Sequence, residues 1–323
     1  MKPVVVVKFG GSSLSSETER CRVVERIRAM VLQGIQPVVV VSAMGRRGSP
    51  YATDSLIDLL GEGDLDPRTV DFVISCGETI SAGVLTQLLW KEGIRAMALN
   101  GWQAGIETDG LYGNAEIVQI HTQFLTELLE QEIVPVITGF QGVSQQEITT
   151  LGRGGSDTSA VEIAGYLKAE RVEILTDVSG VKVADPRRIP EAKQLPFLSY
   201  EDMLLAANQG ASVIHPRAVQ AAQNHQIPMI IGSSQTLDPG TLVGNQPSPE
   251  PLINLSYSTR EQTIALLLNH QIDENQTKRL LDYCDSRGLV ATMLPNKRTI
   301  QVSVTETQAQ AEMLELYQLF YQP

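Results

Sequence analysis

Two glycine-rich segments of this chain combine charged side chains with a backbone that can approach an anion closely. The first, residues 8–13 (KFGGSS), places Lys8 at the end of an apolar run and two glycines before a helical pattern. Glycines let backbone N–H groups come close to a phosphate or carboxylate, and a helix start adds partial positive charge. Taken alone, this segment fits an ordinary strand-to-helix turn with a capping serine better than a binding site.

The second glycine-rich segment, residues 151–160 (LGRGGSDTSA), is harder to explain as a simple turn. Ser156 or Asp157 could cap the helix that follows, but capping requires neither Arg153 nor several glycines. Glycines cost conformational entropy on folding, so their presence beside opposite charges favours a ligand site. Neither segment has the spacing of a Walker A loop or of a dinucleotide-binding fingerprint.

Three other positions carry weaker signals. Residues 176–187 (TDVSGVKVADPR) follow a buried strand and fit a turn or a binding loop equally well. Glu78 lies at the predicted start of a helix, where an acid also stabilises the helix dipole. His215 has no histidine or cysteine nearby in sequence, so we predict no metal site built from side chains.

The elements that position these segments alternate between short apolar strands and amphipathic helices. This alternation indicates βαβ units and an α/β fold with a mostly parallel sheet. Ligands of such sheets bind at the carboxyl ends of the strands, where the glycine-rich segments fall. The predicted strands include residues 4–7, 37–41, 96–99, 134–138 and 171–176, and the predicted helices include residues 17–33, 118–131 and 156–167.

A change of composition divides the chain into two predicted domains. Residues 233–251 are rich in proline and glycine and are typical of a linker. We therefore predict a large domain at residues 1–245, a linker at 246–257 and a small α+β domain at 258–323. The predicted elements of the small domain are strands at 263–269, 289–294 and 299–304 and helices at 275–287 and 307–320.

Size, charge and cysteine content restrict the class of protein. A chain of 323 residues, 42% of them hydrophobic, can bury a large core. The formal net charge of −12 argues against an extended nucleic-acid surface. The three cysteines are scattered and match no metal or disulfide pattern. The chain shows no signal-peptide pattern, and we expect no apolar stretch of membrane-spanning length, so we predict a soluble, cytoplasmic protein with no membrane partner.

Taken together, the segments resemble those of the aspartokinases. The resemblance covers residues 1–245 and rests on motifs in the family's order and spacing, at residues 8–13, 41–46, 77–78, 152–158, 176–181, 184–187 and 240–242. It implies the amino-acid-kinase fold, an open αβα sandwich, followed by an ACT-type regulatory region. It also implies that the protein transfers the γ-phosphoryl group of ATP, with Mg²⁺ as cofactor, to the side-chain carboxylate of L-aspartate. That reaction is the first step of lysine, threonine and methionine biosynthesis, and the resemblance implies a homodimer.

The resemblance assigns the candidate site residues to three groups. In the catalytic pair, Lys8 neutralises the transferring phosphate and Asp157 orients Lys8 and organises the Mg-ATP end. Three residues face the amino-acid substrate. Glu78 pairs with its ammonium group, Arg153 binds its α-carboxylate as a fork, and the third residue is Ser42. The residues that cradle the phosphate or line the nucleotide pocket are Gly10, Gly11, Ser12, Thr176, Asp177, Asp185 and Arg187.

The chemistry of aspartate phosphorylation suits this set of residues. The side-chain carboxylate of aspartate has an ordinary pKa of about 3.9, so it is ionised near neutrality and needs no general base. The reaction instead requires charge neutralisation and in-line positioning of two anions. Lys8, Mg²⁺, backbone N–H groups and the planar fork of Arg153 would supply both.

Two features depart from the family pattern. The family usually has a lysine that contacts ATP phosphates at the position of Ser212, and Lys182 or Arg217 could compensate for its loss. In other active sites, losing one group that stabilises developing negative charge costs about 2.7–4 kcal/mol, and we expect a loss of that order here. Aspartokinases also normally end in two ACT modules, whereas residues 258–323 have room for one βαββα unit. The usual feedback site is then either built across a dimer from single modules or absent, with the module kept only for dimerisation, and the sequence favours neither reading. We expect the activity to be insensitive to lysine.

Two alternatives to an aspartokinase remain open from the sequence. One is a kinase of a related acidic amino acid, because Glu78 and Arg153 would recognise only the amino-acid end of a substrate. The other is a catalytically weak regulatory paralogue that binds ATP or an amino acid, which the departure at Ser212 and the shortened C-terminal region favour. The joint presence of Lys8 and Asp157 with the two recognition residues favours an active enzyme.

Overall fold

The computed structural model describes residues 2–211, 213–236, 238–269 and 274–321. The chain divides into two compact units, the first comprising Met1–Ser179 and Arg217–Gly240 and the second Gly180–Pro216 and Thr241–Pro323. Residues 180–216, which the sequence placed in the large domain, thus cluster with the C-terminal part of the chain.

Within the described residues, the first unit contains ten strands. They are β1 (Val4–Phe9), β2 (Gln36–Val41), β3 (Ala96–Leu99), β4 (Ile106–Thr108), β5 (Ile117–Ile120), β6 (Val134–Thr138), β7 (Gln141–Ser144), β8 (Glu147–Thr150), β9 (Arg171–Thr176) and β11 (Met229–Ser233). Its helices are a short 3₁₀ turn (Gly11–Leu14), α1 (Glu17–Leu32), α2 (Thr53–Asp58), α3 (Pro67–Lys91), α4 (Gln123–Glu130), α5 (Gly155–Leu167) and α7 (Pro216–His225), whose first residue is counted with the second unit.

Six strands of the first unit form a parallel sheet in the order β11-β9-β1-β2-β6-β3. Side chains alternate between the two faces of a strand. Val5, Val7 and Phe9 of β1 pack into a core with α1 and α3. This register leaves Lys8 on the opposite face, where α5 contacts β1. The mostly parallel sheet between helical layers confirms the predicted α/β class.

Helix α3 is the longest helix of the first unit and carries two buried acids. Asp66 caps its start by accepting a hydrogen bond from the Thr69 N–H at 2.9 Å, and Pro67 occupies the first turn. By length and composition alone α3 could cross a membrane, contrary to our expectation that no apolar stretch would reach that length. Its buried face packs against β3, β6 and β8, and Asp71 and Glu78 lie on that face. This packing is that of a core helix.

A second sheet of the first unit was not predicted. Its strand order is β5-β4-β7-β8, with antiparallel pairs except between β4 and β7. The helix predicted at residues 118–131 is therefore wrong in its first half, because Ile117–Ile120 pairs with β4 and only Gln123–Glu130 is helical. Only Ile120 of this strand is buried, which suits its position at the edge of the sheet.

The second unit contains an antiparallel sheet and a short parallel pair. Its elements are β10 (Phe197–Ser199), α6 (Tyr200–Asn208), β12 (Thr241–Gly244), β13 (Leu252–Ser258), β14 (Thr263–Leu268), α8 (Glu274–Ser286), β15 (Val290–Met293), β16 (Thr299–Ser303) and α9 (Glu306–Tyr321). The antiparallel order is β13-β14-β16-β15, and β10 pairs with β12. The α+β character predicted for the C-terminal region is confirmed.

Buried polar contacts explain why residues 180–216 belong to the second unit. Arg298, which is buried before β16, pairs with the fully buried carboxylate of Asp202 in α6. The Tyr317 hydroxyl of α9 donates to the Glu191 carbonyl at 3.0 Å. Strand β13 also lies largely within residues 246–257, the predicted linker, so that segment is not a linker throughout.

Candidate active site

A cleft of about 860 Å³ opens in the first unit where β1 and β2 end. Parallel strands present their following loops at one edge of the sheet, so residues distant in sequence meet there. Six of the predicted site residues line this cleft: Lys8, Gly11, Ser42, Glu78, Arg153 and Asp157. The structure thus places both glycine-rich segments and the acid of α3 around one cavity.

An ion pair joins the two glycine-rich segments. The Lys8 Nζ lies 2.6 Å from Asp157 Oδ1, and the two side chains are 9% and 14% exposed. Asp157 belongs to the first turn of α5, where its charge is also favoured by the helix dipole. The pair therefore fixes the Lys8 ammonium at the N-terminus of α5, beside the cleft.

The loop after β1 lies close to the loop after β2. The Gly45 N–H donates to the Gly11 carbonyl at 2.9 Å, and the Ser42 N–H donates to the Phe9 carbonyl at 3.1 Å. A Cβ atom at Gly11 would lie 2.5 Å from the Ala43 carbonyl oxygen, closer than any side chain allows. Position 11 therefore requires glycine, and the requirement comes from packing beside the cleft.

Glu78 is buried at the cleft and has an incomplete set of partners. One oxygen, Oε1, accepts a hydrogen bond from the Ala43 N–H at 3.0 Å. Its other oxygen, Oε2, has no hydrogen-bond partner within the described ranges. Burial raises the pKa of Glu78 to about 8, although the Ala43 N–H and the Lys8 ammonium act in the opposite direction.

The loop that carries Arg153 is held in an unusual backbone conformation. Gly152 and Gly154 both have φ of +69°, a region that side chains other than glycine rarely adopt. Arg153 between them is exposed, and no residue that the structure describes forms a hydrogen bond or ion pair with its guanidinium. A cationic fork with no internal partner is suited to bind an anion in the cleft.

The structure brings several unpredicted residues to the cleft, among them the fully buried Asp71. Asp71 lies on α3, seven residues before Glu78, and has no solvent exposure. Its carboxylate accepts hydrogen bonds from the Gly113 and Thr150 N–H groups and from the Thr150 hydroxyl. The sequence did contain a signal, because residues seven apart share one face of a helix.

Apart from Gly11, the predicted nucleotide residues of the first unit do not line the cleft. The Gly10 N–H donates to the Leu175 carbonyl at 3.1 Å, so it is occupied within the fold. The Thr176 hydroxyl accepts from the Val178 N–H at 3.2 Å. Asp177 forms an ion pair with Arg46, which does line the cleft. Ser12 lies in the 3₁₀ turn that follows β1.

The remaining predicted nucleotide residues belong to the second unit. Asp185 and Arg187 pair with each other, and the hydrogen bond from the Arg187 side chain holds the pKa of Asp185 below its usual range. Arg187 is 84% exposed. Ser212, the departure from the family pattern, lies outside the described residues. Arg217, one of the two cations that could compensate for the missing lysine, donates hydrogen bonds to Asn114, Leu151 and Ala115 within the first unit.

The described residues contain no group of three or more His, Cys, Asp or Glu side chains that could hold a metal ion. Mg²⁺ in kinases is usually bound by one or two carboxylates together with substrate phosphates, rather than by a cage of side chains. The acidic groups at this cleft, with Asp157 foremost, suit a Mg²⁺ that arrives as part of MgATP.

Comparison with known proteins identifies relatives of this chain. The model of the amino acid kinase family matches residues 3–233. Aspartokinase 1 of Bacillus subtilis is 44% identical over 243 residues, which make up 74% of this chain and 60% of the relative. The chain therefore spans about 60% of the length of this relative.

Solved structures show the same similarity. The aspartate kinase from Synechocystis is 34% identical, with a TM-score of 0.67, and the match covers 98% of this chain and 55% of that one. E. coli aspartokinase III, in complex with aspartate and ADP, has a TM-score of 0.66 at 21% identity, covering 98% of this chain and 84% of that one. The latter similarity concerns the fold alone.

Proposed function

This chain belongs to the amino acid kinase family, and on that premise we propose that it phosphorylates the side-chain carboxylate of L-aspartate with MgATP. The observation that carries the proposal is the buried Lys8–Asp157 pair, which shares one cleft with Glu78 and Arg153. The B. subtilis and Synechocystis relatives, both named as aspartate kinases, support the choice of substrate.

The proposed reaction is a direct phosphoryl transfer. A carboxylate oxygen of aspartate forms a bond to the γ-phosphorus of ATP while the bond from that phosphorus to the β,γ-bridging oxygen breaks. The products are 4-phospho-L-aspartate and ADP, and no proton needs to be removed from the nucleophile. Lys8 would stabilise charge on the transferring group, and Asp157 would hold its ammonium in place.

The amino-acid end of the substrate has two complementary groups in the cleft. The unpartnered oxygen of Glu78 is suited to the substrate ammonium, whose arrival would favour the ionised carboxyl. The exposed Arg153 guanidinium is suited to the α-carboxylate as a bidentate fork. Binding both groups would orient the side-chain carboxylate toward Lys8. This orientation would bring the already ionised nucleophile into line with the γ-phosphate, which is what the reaction needs in place of a general base.

The test is to trap the acyl phosphate with hydroxylamine. Purified protein with MgATP and L-aspartate is expected to form coloured hydroxamate, and Lys8→Ala is expected to lower its rate about 10²–10³-fold or more. Lys2→Ala is the matched control, because Lys2 is a half-exposed lysine on the same part of the chain, paired with Glu132. That variant is expected to retain the full rate.

The other outcomes separate the alternatives. Hydroxamate with L-glutamate in preference to L-aspartate would indicate a different acidic acceptor. Absence of hydroxamate with either acid, despite measurable ATP binding, would overturn the kinase proposal and favour a regulatory paralogue. Product formation by the unmodified chain would show that its cations suffice with serine at position 212.

The wider assignment follows the same premise. We propose that the enzyme is a cytoplasmic homodimer, that it catalyses the first step of lysine, threonine and methionine biosynthesis, and that its C-terminal region is a single ACT-like module. The antiparallel sheet flanked by α8 and α9 supports the last point. From the resemblance of the sequence, Thr176, Asp177, Asp185 and Arg187 are proposed as nucleotide-binding residues.

A further inference from the structure

Asp71 is a buried carboxylate for which the proposed chemistry has no direct use. Both of its oxygens are occupied: Oδ2 accepts from the Gly113 N–H at 2.9 Å and the Thr150 N–H at 2.8 Å, and Oδ1 accepts from the Thr150 hydroxyl at 2.7 Å. Because donors of the fold occupy both oxygens, neither oxygen is left unpartnered for a ligand, unlike Oε2 of Glu78. Its contacts instead join α3 to two separate backbone segments.

Those two segments support the loop that carries Arg153. Thr150 ends β8 directly before that loop, and the Ala115 N–H donates to the Thr150 carbonyl at 2.9 Å. Gly152 lies against Gly113 and Asn114, since a Cβ built on it would be 3.0 Å from an oxygen of each. Residues 113–115 therefore form a turn that packs against the loop, which we call the supporting turn, and Asp71 binds this turn to α3.

Arg217 of α7 binds both the supporting turn and the loop with a second set of hydrogen bonds. Its guanidinium donates to the Leu151 carbonyl at 2.7 Å, to the Ala115 carbonyl at 2.9 Å and to Asn114 Oδ1 at 3.1 Å. A guanidinium that spans three acceptors in this way is committed to the loop. It is therefore poorly placed to replace a phosphate-binding lysine.

We propose that Asp71 and Arg217 are positioning residues that set the place of Arg153 relative to Glu78, and thereby the selectivity for aspartate. Asp71 and Glu78 both lie on the buried face of helix α3. The helix therefore positions Glu78 directly, and it positions Arg153 indirectly, through Asp71 and the supporting turn. This inference rests on the proposed function, because it assigns Arg153 to the substrate α-carboxylate. A small displacement of such a group is enough to cost substrate positioning.

The main experiment measures the steady-state constants of Asp71→Ala for both substrates, after the hydroxamate assay has established activity in the unmodified enzyme. We expect KM for aspartate to rise about tenfold or more, with KM for ATP changed by less than about twofold. The preference for aspartate over glutamate is expected to fall, because the amino-acid end is no longer held at a fixed distance from Lys8. Equal increases in both KM values, or an unchanged KM for aspartate, would overturn the proposal.

Asp71→Asn distinguishes hydrogen-bond geometry from charge. The amide oxygen can accept from both backbone N–H groups, and the Thr150 hydroxyl can turn to accept from the amide nitrogen. We therefore expect Asp71→Asn to restore KM for aspartate to within about threefold of the unmodified enzyme. A loss as large as that of Asp71→Ala would contradict the positioning role.

Arg217→Lys provides a second route should Asp71→Ala not fold. Lysine keeps the charge but cannot span three acceptors, so KM for aspartate is again expected to rise and KM for ATP to stay constant. A rise confined to KM for ATP would show that Arg217 serves the nucleotide instead, and would refute this part of the proposal.

Asp66→Ala is the matched control for Asp71. Asp66 also accepts from the N–H and the hydroxyl of one threonine, Thr69, but it does so at the exposed start of the same helix. Loss of this cap is expected to leave both KM values and the aspartate preference unchanged. A change in aspartate preference equal to that of Asp71→Ala would show that the effect follows from any disturbance of α3.

Discussion

The buried face of α3 carries two carboxylates that have nearly the same burial and opposite surroundings. Asp71 and Glu78 are 0% and 2% exposed. Asp71 accepts three hydrogen bonds that occupy both oxygens. Glu78 accepts from the Ala43 N–H, and its Oε2 has no partner in the part of the chain that the structure describes. Burial alone therefore does not separate the two residues, but satisfaction of their oxygens does.

The difference teaches how a binding carboxylate can be told from a positioning one. A buried polar atom without a partner is costly, so it persists where a ligand completes its hydrogen bonding. The raised pKa of Glu78, caused by burial, reports the same incompleteness. Asp71 has no such vacancy, since its donors come from the fold. Glu78 is therefore assigned to the substrate and Asp71 to the loop that holds Arg153.

The sharpest test of this comparison is a neutral, isosteric change at each position. Glu78→Gln removes the charge proposed to pair with the substrate ammonium, and we expect kcat/KM for aspartate to fall about 10³-fold, or about 4 kcal/mol. Asp71→Asn is expected to lower the same constant by less than about threefold, because its donors keep an acceptor. The measurement is the initial rate of ADP formation at varied aspartate concentration.

The pH profile of the unmodified enzyme provides the control for that assignment. The free enzyme must bind the ammonium with an ionised Glu78, so kcat/KM for aspartate is expected to rise with pH through an inflection near pH 8 and to level off above it. In Glu78→Gln this inflection should be absent. Equal losses in the two isosteric variants, or an inflection near pH 8 that persists without Glu78, would remove the distinction between the two carboxylates.

The second prediction concerns stability, for which the unmodified enzyme is compared with Glu78→Gln. The unfolded carboxyl ionises near its ordinary pKa of 4.5, whereas the folded one ionises near 8. Between these values the unfolded state has released a proton that the folded state retains, so rising pH favours unfolding. The free energy of unfolding of the unmodified enzyme should fall relative to the variant by up to about 3 kcal/mol between pH 5 and pH 7.

Urea denaturation at a series of pH values measures this difference. Well below pH 4.5 and well above pH 8 the difference should stop changing, since both states then have the same protonation at this position. A difference that is constant across the whole range would mean that Glu78 ionises normally in the fold. It would then offer no special site for a cation.

The sequence predicted the central sheet well, because its strands have a strong and local signal. Runs of β-branched residues such as 4–7 and 37–41 have the composition of strands buried on both faces. The peripheral sheet was missed since its strands are short and partly exposed, and residues around Val118 were compatible with an amphipathic helix. The clustering of residues 180–216 depends on buried pairs such as Arg298 with Asp202, which only tertiary structure reveals.

Sequence reasoning reached part of the site for a similar reason. Lys8, Arg153 and Asp157 stand among glycines, and such a context marks them in the sequence. Asp71 stands in an apolar helical stretch with no neighbouring motif, and its partners at Gly113 and Thr150 are 42 and 79 residues away. Residues that act through long-range hydrogen bonds therefore escaped prediction, although their spacing on the helix was available.

The smallest expected effect belongs to a third carboxylate of the same helix, Asp66 at its start. The side-chain hydrogen bond from Thr69 holds the pKa of Asp66 below its ordinary value of 3.8. Its contribution to stability is therefore present above that value and lost as pH falls through the lower folded pKa, which is opposite in sign to that of Glu78. Asp66→Ala should lower Tm by roughly 1–3 °C at neutral pH. The decrease should be constant from pH 6 to pH 9 and vanish in acid, whereas Asp66→Ser should retain most of the cap because its hydroxyl still accepts. A Tm decrease that grows between pH 5 and pH 8 would instead show that the helix start is coupled to Glu78, and the three carboxylates of α3 could then no longer be treated as independent.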